Sequence, residues 1–248
     1  MFSVYPLLRE YLAGTTASGL YEARLGKEEF GGETHVYSPA YAEGEFQEIL
    51  RYADHIVFNS FNQWKAYGNL ARAAGKSCCL RLNPECSTQP AEHAMYDPCG
   101  PTSRLGITEA NFQPELLAGI EGFHFHTLCE QNADDLVRTV AAFEERFGEY
   151  MEGMKWLNLG GGHHITRDDY DVETLVKCIN DLREKYGVQI YLEPGDTLHV
   201  EFASGDFLPG HDGKFSSVRY NGPNAAVNAD LLAFAVYRKN EGYGLYRN

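Results

Sequence analysis

The residue types that do chemistry gather at the ends of short apolar runs. Leu157 to His164 reads Leu-Asn-Leu-Gly-Gly-Gly-His-His. Consecutive glycines let the backbone turn tightly and approach a bound group closely. Their amides can cradle an anion, most readily where a helix follows; a plain loop is the alternative. Tyr191-Leu192-Glu193-Pro194-Gly195-Asp196 puts a carboxylate at the end of a buried run. Such a group is costly unless paired. A protonated pyridine nitrogen is a suitable partner, and a salt bridge or helix cap is the alternative. In Phe123-His124-Phe125-His126-Thr127-Leu128-Cys129-Glu130, a strand would carry His124 and His126 on one side. They could ligate a metal, stack on a flat heteroaromatic ring or sit hydrogen-bonded in a core. Barrels that bind metals draw further ligands from later strands, and the later strand here ends in Glu193-Pro194-Gly195, so no metal site is expected. Arg81, inside Leu80-Arg81-Leu82-Asn83, is expected to meet an acid or a cofactor oxygen. Arg104 reads equally well as a surface residue.

These residues need a scaffold that brings strand ends together. Strands are expected at Ser18–Glu22, His35–Tyr37, His55–Phe58, Cys79–Asn83, Gly122–His126, Trp156–Leu159 and Gln189–Leu192. Several are almost continuously apolar, as strands buried on both faces are. Between them, Asp135 to Phe147 spaces Leu136, Val140, Phe143 and Phe147 as one face of a helix, and Asp171 to Tyr186 does the same with Val172, Leu175, Val176, Ile179 and Leu182. Alternating strand and helix predicts parallel strands joined by crossover helices, with the polar strand ends at one mouth. The seven candidate strands fall one short of a closed barrel of this type. The chain opens on a helical pattern, Val4 to Leu12, so the missing strand is expected upstream of Met1. An open doubly wound sheet is the alternative. Residues 1–200 are read as an incomplete barrel. Residues 201–248 are read as a short β-rich or irregular appendage, with possible strands at Lys214–Tyr220 and Leu231–Tyr237.

Composition narrows the function classes. The 248 residues carry 35 acidic and 21 basic side chains, a net charge of -14. That disfavours a nucleic-acid backbone as partner and is compatible with a cationic substrate. No apolar run is long enough to span a membrane, and the N-terminus lacks a signal-peptide pattern. Six cysteines form no paired CxxC motif, so reduced thiols in a cytoplasmic protein are expected rather than structural zinc.

Taken together, these clusters resemble the alanine racemase-type pyridoxal-phosphate barrels, the group of ornithine and diaminopimelate decarboxylases. The similarity to the carboxynorspermidine decarboxylase family is closer. It rests on Gly19 to Gly26 (Gly-Leu-Tyr-Glu-Ala-Arg-Leu-Gly), His35-Val36-Tyr37-Ser38-Pro39, Phe58-Asn59-Ser60, Phe123 to Glu130, Asn158 to Thr166 and Tyr191 to Gly195. The resemblance implies a (β/α)8 barrel of PLP fold type III that removes a carboxylate from carboxynorspermidine or carboxyspermidine. It implies that Gly160, Gly161 and Gly162 hold the pyridoxal 5'-phosphate phosphate, that His126 stacks on the ring, and that Glu193 pairs with the ring nitrogen. Arg81 and Cys129 would lie near the cofactor, and His163 and His164 near the substrate. The family's Schiff-base lysine precedes the helix that opens this chain. None of the lysines here (Lys27, Lys65, Lys76, Lys155, Lys177, Lys185, Lys214 and Lys239) stands at a motif position. The family's second domain, which completes the partner subunit's site in a homodimer, has no counterpart after about Val200, and Asp196 stands where the family more often has glutamate. The expectation is therefore a decarboxylase polypeptide with little turnover. The alternatives are a non-catalytic cofactor- or partner-binding fragment and a metal-dependent hydrolase using His124 and His126.

Overall fold

The computed structural model describes residues 5–165, 167–193 and 233–236. Its strands are β1 (Gly14–Ala17), β2 (Glu33–Ser38), β3 (His55–Phe58), β4 (Ser77–Arg81), β5 (Gly122–His124), β6 (Trp156–Gly161), β7 (Gln189–Glu193) and β8 (Ala233–Val236). They close into one barrel in chain order. Each strand from β1 to β7 runs parallel to the next. β8 completes the circle antiparallel to both β7 and β1, pairing Val236 with Tyr191 and Phe234 with Gly14. The sheet is closed rather than open and doubly wound. The edges of β1 and β7, expected to lack a neighbour, are hydrogen-bonded to a strand from the tail, within the expected Leu231–Tyr237 run. The expected strand Lys214–Tyr220 lies outside the described residues.

The crossovers are α2 (Leu20–Leu25), α3 (Glu43–Tyr52), α4 (Phe61–Ala73), α5 (Ala133–Phe147) and α6 (Val172–Tyr186), with α1 (Tyr5–Leu8) ahead of β1. Local chemistry sets their ends. Ser60 caps α4 by accepting from Gln63 N at 3.3 Å, and the Gln63 side chain reaches back to Asn59 N at 2.6 Å. Asp171 caps α6 through Thr174 N at 3.0 Å, and Gly187 ends it at φ 69°. The same device corrects one expectation. Ser18–Glu22 is not a strand, because the Glu22 carboxylate accepts from both Ser18 N and Ser18 Oγ at 2.6 Å and starts α2 there. The strand lies just before it, at Gly14–Ala17.

Strand alternation then sorts the interior. Val36, Ile56, Phe58, Leu80, Phe123, Leu157, Ile190 and Leu192 face outward into the main core, against Leu136, Val140, Phe143 and Phe147 of α5 and Leu175, Ile179 and Leu182 of α6. Truncating a fully buried member such as Phe143 to alanine costs about 3–5 kcal/mol. The alternate residues face the lumen. There Val57, Cys79, Trp156 and Tyr191 form a separate cluster with Tyr37 packed on it. The indole of Trp156 lies where a Cβ on Gly122 would stand, 2.4 Å away, and plugs the floor.

Candidate functional site

At the mouth the lumen turns polar. The registers Arg81↔His124, His124↔Asn158 and Gly161↔Glu193 line up the ends of β4, β5, β6 and β7. Glu193 is buried, 6% exposed, which makes its partners decisive. Asn158 Nδ2 donates to Glu193 Oε1 at 2.8 Å, and Asn158 Oδ1 accepts from Gly160 N at 2.8 Å. One amide therefore clips the carboxylate to the glycine turn. His126 Nδ1 lies 3.5 Å and His124 Nε2 4.0 Å from Glu193 Oε2. Burial alone pushes the Glu193 carboxyl up. The His126 contact and the Asn158 amide outweigh it and bring it down to about 2, so the group is ionised. His124 is fully buried, and burial pulls its imidazole down to about 3, so it is neutral. Neither His124 nitrogen has a hydrogen-bond partner among the described residues.

The glycines earn their place by close approach. Gly160 and Gly162 have φ 71° and 78°. A Cβ on Gly160 would stand 2.5 Å from Phe125 O, and one on Gly162 2.1 Å from Leu128 O, so both let the loop after β5 pack onto β6. A Cβ on Gly161 would stand 2.5 Å from Glu193 O and 3.0 Å from His126 Cε1. Gly161, His126 and Glu193 thus touch one small volume.

Arg81 meets no acid among the described residues, contrary to one branch of the expectation. Its Nη2 donates to His126 O at 3.0 Å, and the guanidinium lies 4.6 Å from the centre of the Tyr37 ring. It therefore holds the loop that carries His126. Tyr37 in turn donates to Asn59 Oδ1 at 2.9 Å. Cys129 is exposed on the loop after β5, beside Glu130 at φ 53°. His163 is fully buried, with Nε2 3.1 Å from Gly160 O, so its ring braces the glycine turn; His164 follows, half-buried. Arg104 is exposed. Pro194, Gly195 and Asp196 lie outside the described residues.

Two groups escaped the sequence reading. Gln131 joins three mouth loops: Thr88 and Gln89 donate to its Oε1, its Nε2 donates to Thr88 O at 2.7 Å, and its N–H donates to Gly162 O at 2.9 Å. Its place directly after the histidine motif was the available signal. At the barrel floor, Glu33, His35 and His55 cluster with their ligand atoms within 4.8 Å of one another. The two rings stack at 3.8 Å, and burial followed by the neighbouring His35 pulls His55 down to about 2. In sequence His35 and His55 stand in expected strands, His35 also in a motif of the resemblance, and Glu33 is not singled out.

Similarity to curated relatives covers 77% to 96% of this chain, the latter in a carboxynorspermidine/carboxyspermidine decarboxylase of Herminiimonas arsenicoxydans at 34% identity over 252 residues and 64% of that protein. No family model matches. Over 192 residues the chain is 47% identical to a carboxynorspermidine/carboxyspermidine decarboxylase of Campylobacter jejuni, covering 77% of this chain and 49% of that one. It is 40% identical over 199 residues to a carboxyaminopropylagmatine decarboxylase of Synechocystis sp., covering 80% of this chain and 51% of that one. Among solved structures, the Campylobacter jejuni carboxynorspermidine decarboxylase complexed with norspermidine aligns with a TM-score of 0.72 at 45% identity, covering 79% of this chain and 50% of that chain. The Helicobacter pylori diaminopimelate decarboxylase complexed with L-lysine shares the fold, with a TM-score of 0.63 at 16% identity over 81% of this chain and 55% of that chain. The chain spans between about half and two thirds of the length of these relatives.

Proposed function

From a barrel that belongs by sequence to the carboxynorspermidine decarboxylase family, we propose that this chain is the cofactor-holding portion of a pyridoxal-phosphate-dependent decarboxylase of carboxylated polyamines. The single observation that carries the reading is the meeting of Gly161, His126 and Glu193 around one volume at the mouth.

The residues present fit pyridoxal phosphate. An ionised carboxylate kept inside the fold at a strand end suits a protonated pyridine nitrogen, and the half-buried His126 ring beside it suits the face of a flat heterocycle. The turn Gly160–Gly162, without side chains, suits the phosphate. When bound, the cofactor supplies an electron sink for the charge released with carbon dioxide. The protein's part is positional. Glu193 stays charged and so keeps a proton on the nitrogen it faces. Asn158 fixes that carboxylate against the glycine turn. Arg81 holds the backbone of His126, and Gln131 ties the surrounding loops. Among the described lysines, Lys27 pairs with Asp54, Lys155 with Glu121, Lys177 with Asp181 and Lys185 with Glu144, all away from this volume.

Two measurements test the reading. Pyridoxal phosphate titrated into the full chain should bind, with an absorbance change that Glu193→Gln weakens, and borohydride should trap little covalent adduct. Failure of the folded chain to bind the cofactor would sink the proposal. Carbon dioxide release from carboxynorspermidine, carboxyspermidine and carboxyaminopropylagmatine should be far below that of an intact relative. Turnover near that of the relative would overturn the reading that no lysine of this sequence serves the cofactor.

A further inference from the structure

A metal site at His124 and His126 calls for further histidine and aspartate ligands from later strands, and from the sequence none is expected. The fold supplies a carboxylate instead. We propose that, in protein prepared without pyridoxal phosphate, His124, His126 and Glu193 bind one divalent transition-metal ion of the zinc, nickel or copper class.

The donor geometry supports this directly. One ligand atom from each of the three residues lies within 4.8 Å of the others. His126 Nδ1 and His124 Nε2 stand 3.5 Å and 4.0 Å from the same oxygen, Glu193 Oε2. A tetrahedral ion with bonds of about 2.0–2.2 Å spaces its donors by about 3.4 Å, so the His126 contact already fits and the His124 side must close in by roughly half an ångström or more. The two rings are nearly perpendicular, at 82° with centroids 6.2 Å apart, so their in-plane lone pairs reach the carboxylate from different directions. Asn158 occupies Glu193 Oε1 and leaves Oε2 for the ion, the supporting role that an outer-shell hydrogen bond plays in metal sites. The His124 side chain is 1% exposed, and its nitrogens have no hydrogen-bond partner among the described residues. The His126 side chain is 31% exposed and gives the ion a way in. Imidazole with carboxylate favours these metals over magnesium or calcium, which prefer oxygen donors throughout.

The floor cluster is a built-in comparison. Glu33, His35 and His55 have similar spacing, with His35 Nε2 and His55 Nε2 each 3.8 Å from Glu33 Oε2, but the two rings stack on each other at 31° with centroids 3.8 Å apart, which leaves no room for an ion between them. The Tyr191 hydroxyl also donates to Glu33 Oε2 at 3.2 Å. The proposal shares residues with the proposed cofactor position but rests on donor geometry alone, so either can fail without the other.

The test uses the chelator-stripped full chain and zinc in competition with a chromophoric chelator. One equivalent should bind. Glu193→Gln and His126→Ala should weaken binding by more than the roughly 10–100-fold that outer-shell changes cost, while His55→Ala leaves it unchanged, with circular dichroism confirming that each variant folds. In the unmodified protein, copper(II) should broaden the ring signals of His124 and His126 and spare those of His35 and His55. Absence of stoichiometric binding by the folded protein overturns the proposal. So does binding that survives both mouth substitutions, is lost in His55→Ala, or broadens the floor histidines instead.

Discussion

Asn158 makes two buried hydrogen bonds from one amide, and its replacement by leucine isolates what that clip is worth. Leucine is similar in volume, so the change removes polar contacts with little cavity. The bond from Nδ2 to the ionised Glu193 is of the charge-assisted kind, whose loss costs about 1.5–3 kcal/mol. The buried Gly160 N–H also loses its acceptor, at about 1–3 kcal/mol. The sum is roughly 3–6 kcal/mol. At about 2–4 °C per kcal/mol for a chain of this size, the melting temperature should fall by roughly 6–24 °C. Asn158→Asp separates the two halves. It keeps an acceptor for Gly160 N but sets a second carboxylate against Glu193, so its deficit should be large at pH 7 and shrink as the pH falls and one of the pair takes up a proton. Thermal melting followed by circular dichroism at pH 7 and pH 5 reads both. A leucine variant melting within about 2 °C of the parent, or an aspartate variant whose deficit grows on acidification, would refute the reasoning.

Other consequences follow from the same contacts. Burial lowers His55 to about 2, His124 to about 3 and His163 to about 4, against 6.5 in the unfolded chain. Below pH 6.5 the unfolded state therefore takes up protons that the fold refuses, and each such histidine withdraws about 2 kcal/mol of stability between pH 6.5 and 5. Denaturant melts should weaken steadily over that window, and His55→Phe should flatten the slope; an unchanged slope would remove His55 from the account. Gly162→Ala should destabilise more than the roughly 1 kcal/mol of a strained left-handed residue, because its Cβ would also strike Leu128 O. Urea titration checks it, with a loss below about 1 kcal/mol as the contrary result. Ala235→Pro removes a backbone donor from β8, which pairs with strands on both sides. It should increase protease sensitivity and self-association through the freed edges of β1 and β7; a protease-resistant, monodisperse variant would show that β8 does not hold them.

The strands and helices were legible where side-chain period alone decides them. His55–Phe58 matched in full, and the apolar faces of Asp135–Phe147 and Asp171–Tyr186 reappear on α5 and α6, because a helical stripe or an alternating strand is written in neighbouring residues. The reactive residue types were legible for the same reason: a triple glycine, a paired histidine or a strand-end glutamate is conspicuous in place. Ser18–Glu22 was misread because its five residues fit a strand, and only the hook of the Glu22 carboxylate onto Ser18 makes them a helix start. What the sequence left open is convergence. That Glu193 lies against His126 and Gly161, that Asn158 holds it, that Gln131 ties three loops, and that His35 stacks on His55 all depend on barrel register, which joins residues tens of positions apart. The antiparallel entry of β8 is of the same kind. Local pattern sets which face a residue takes. Only closure of the sheet decides what meets it there.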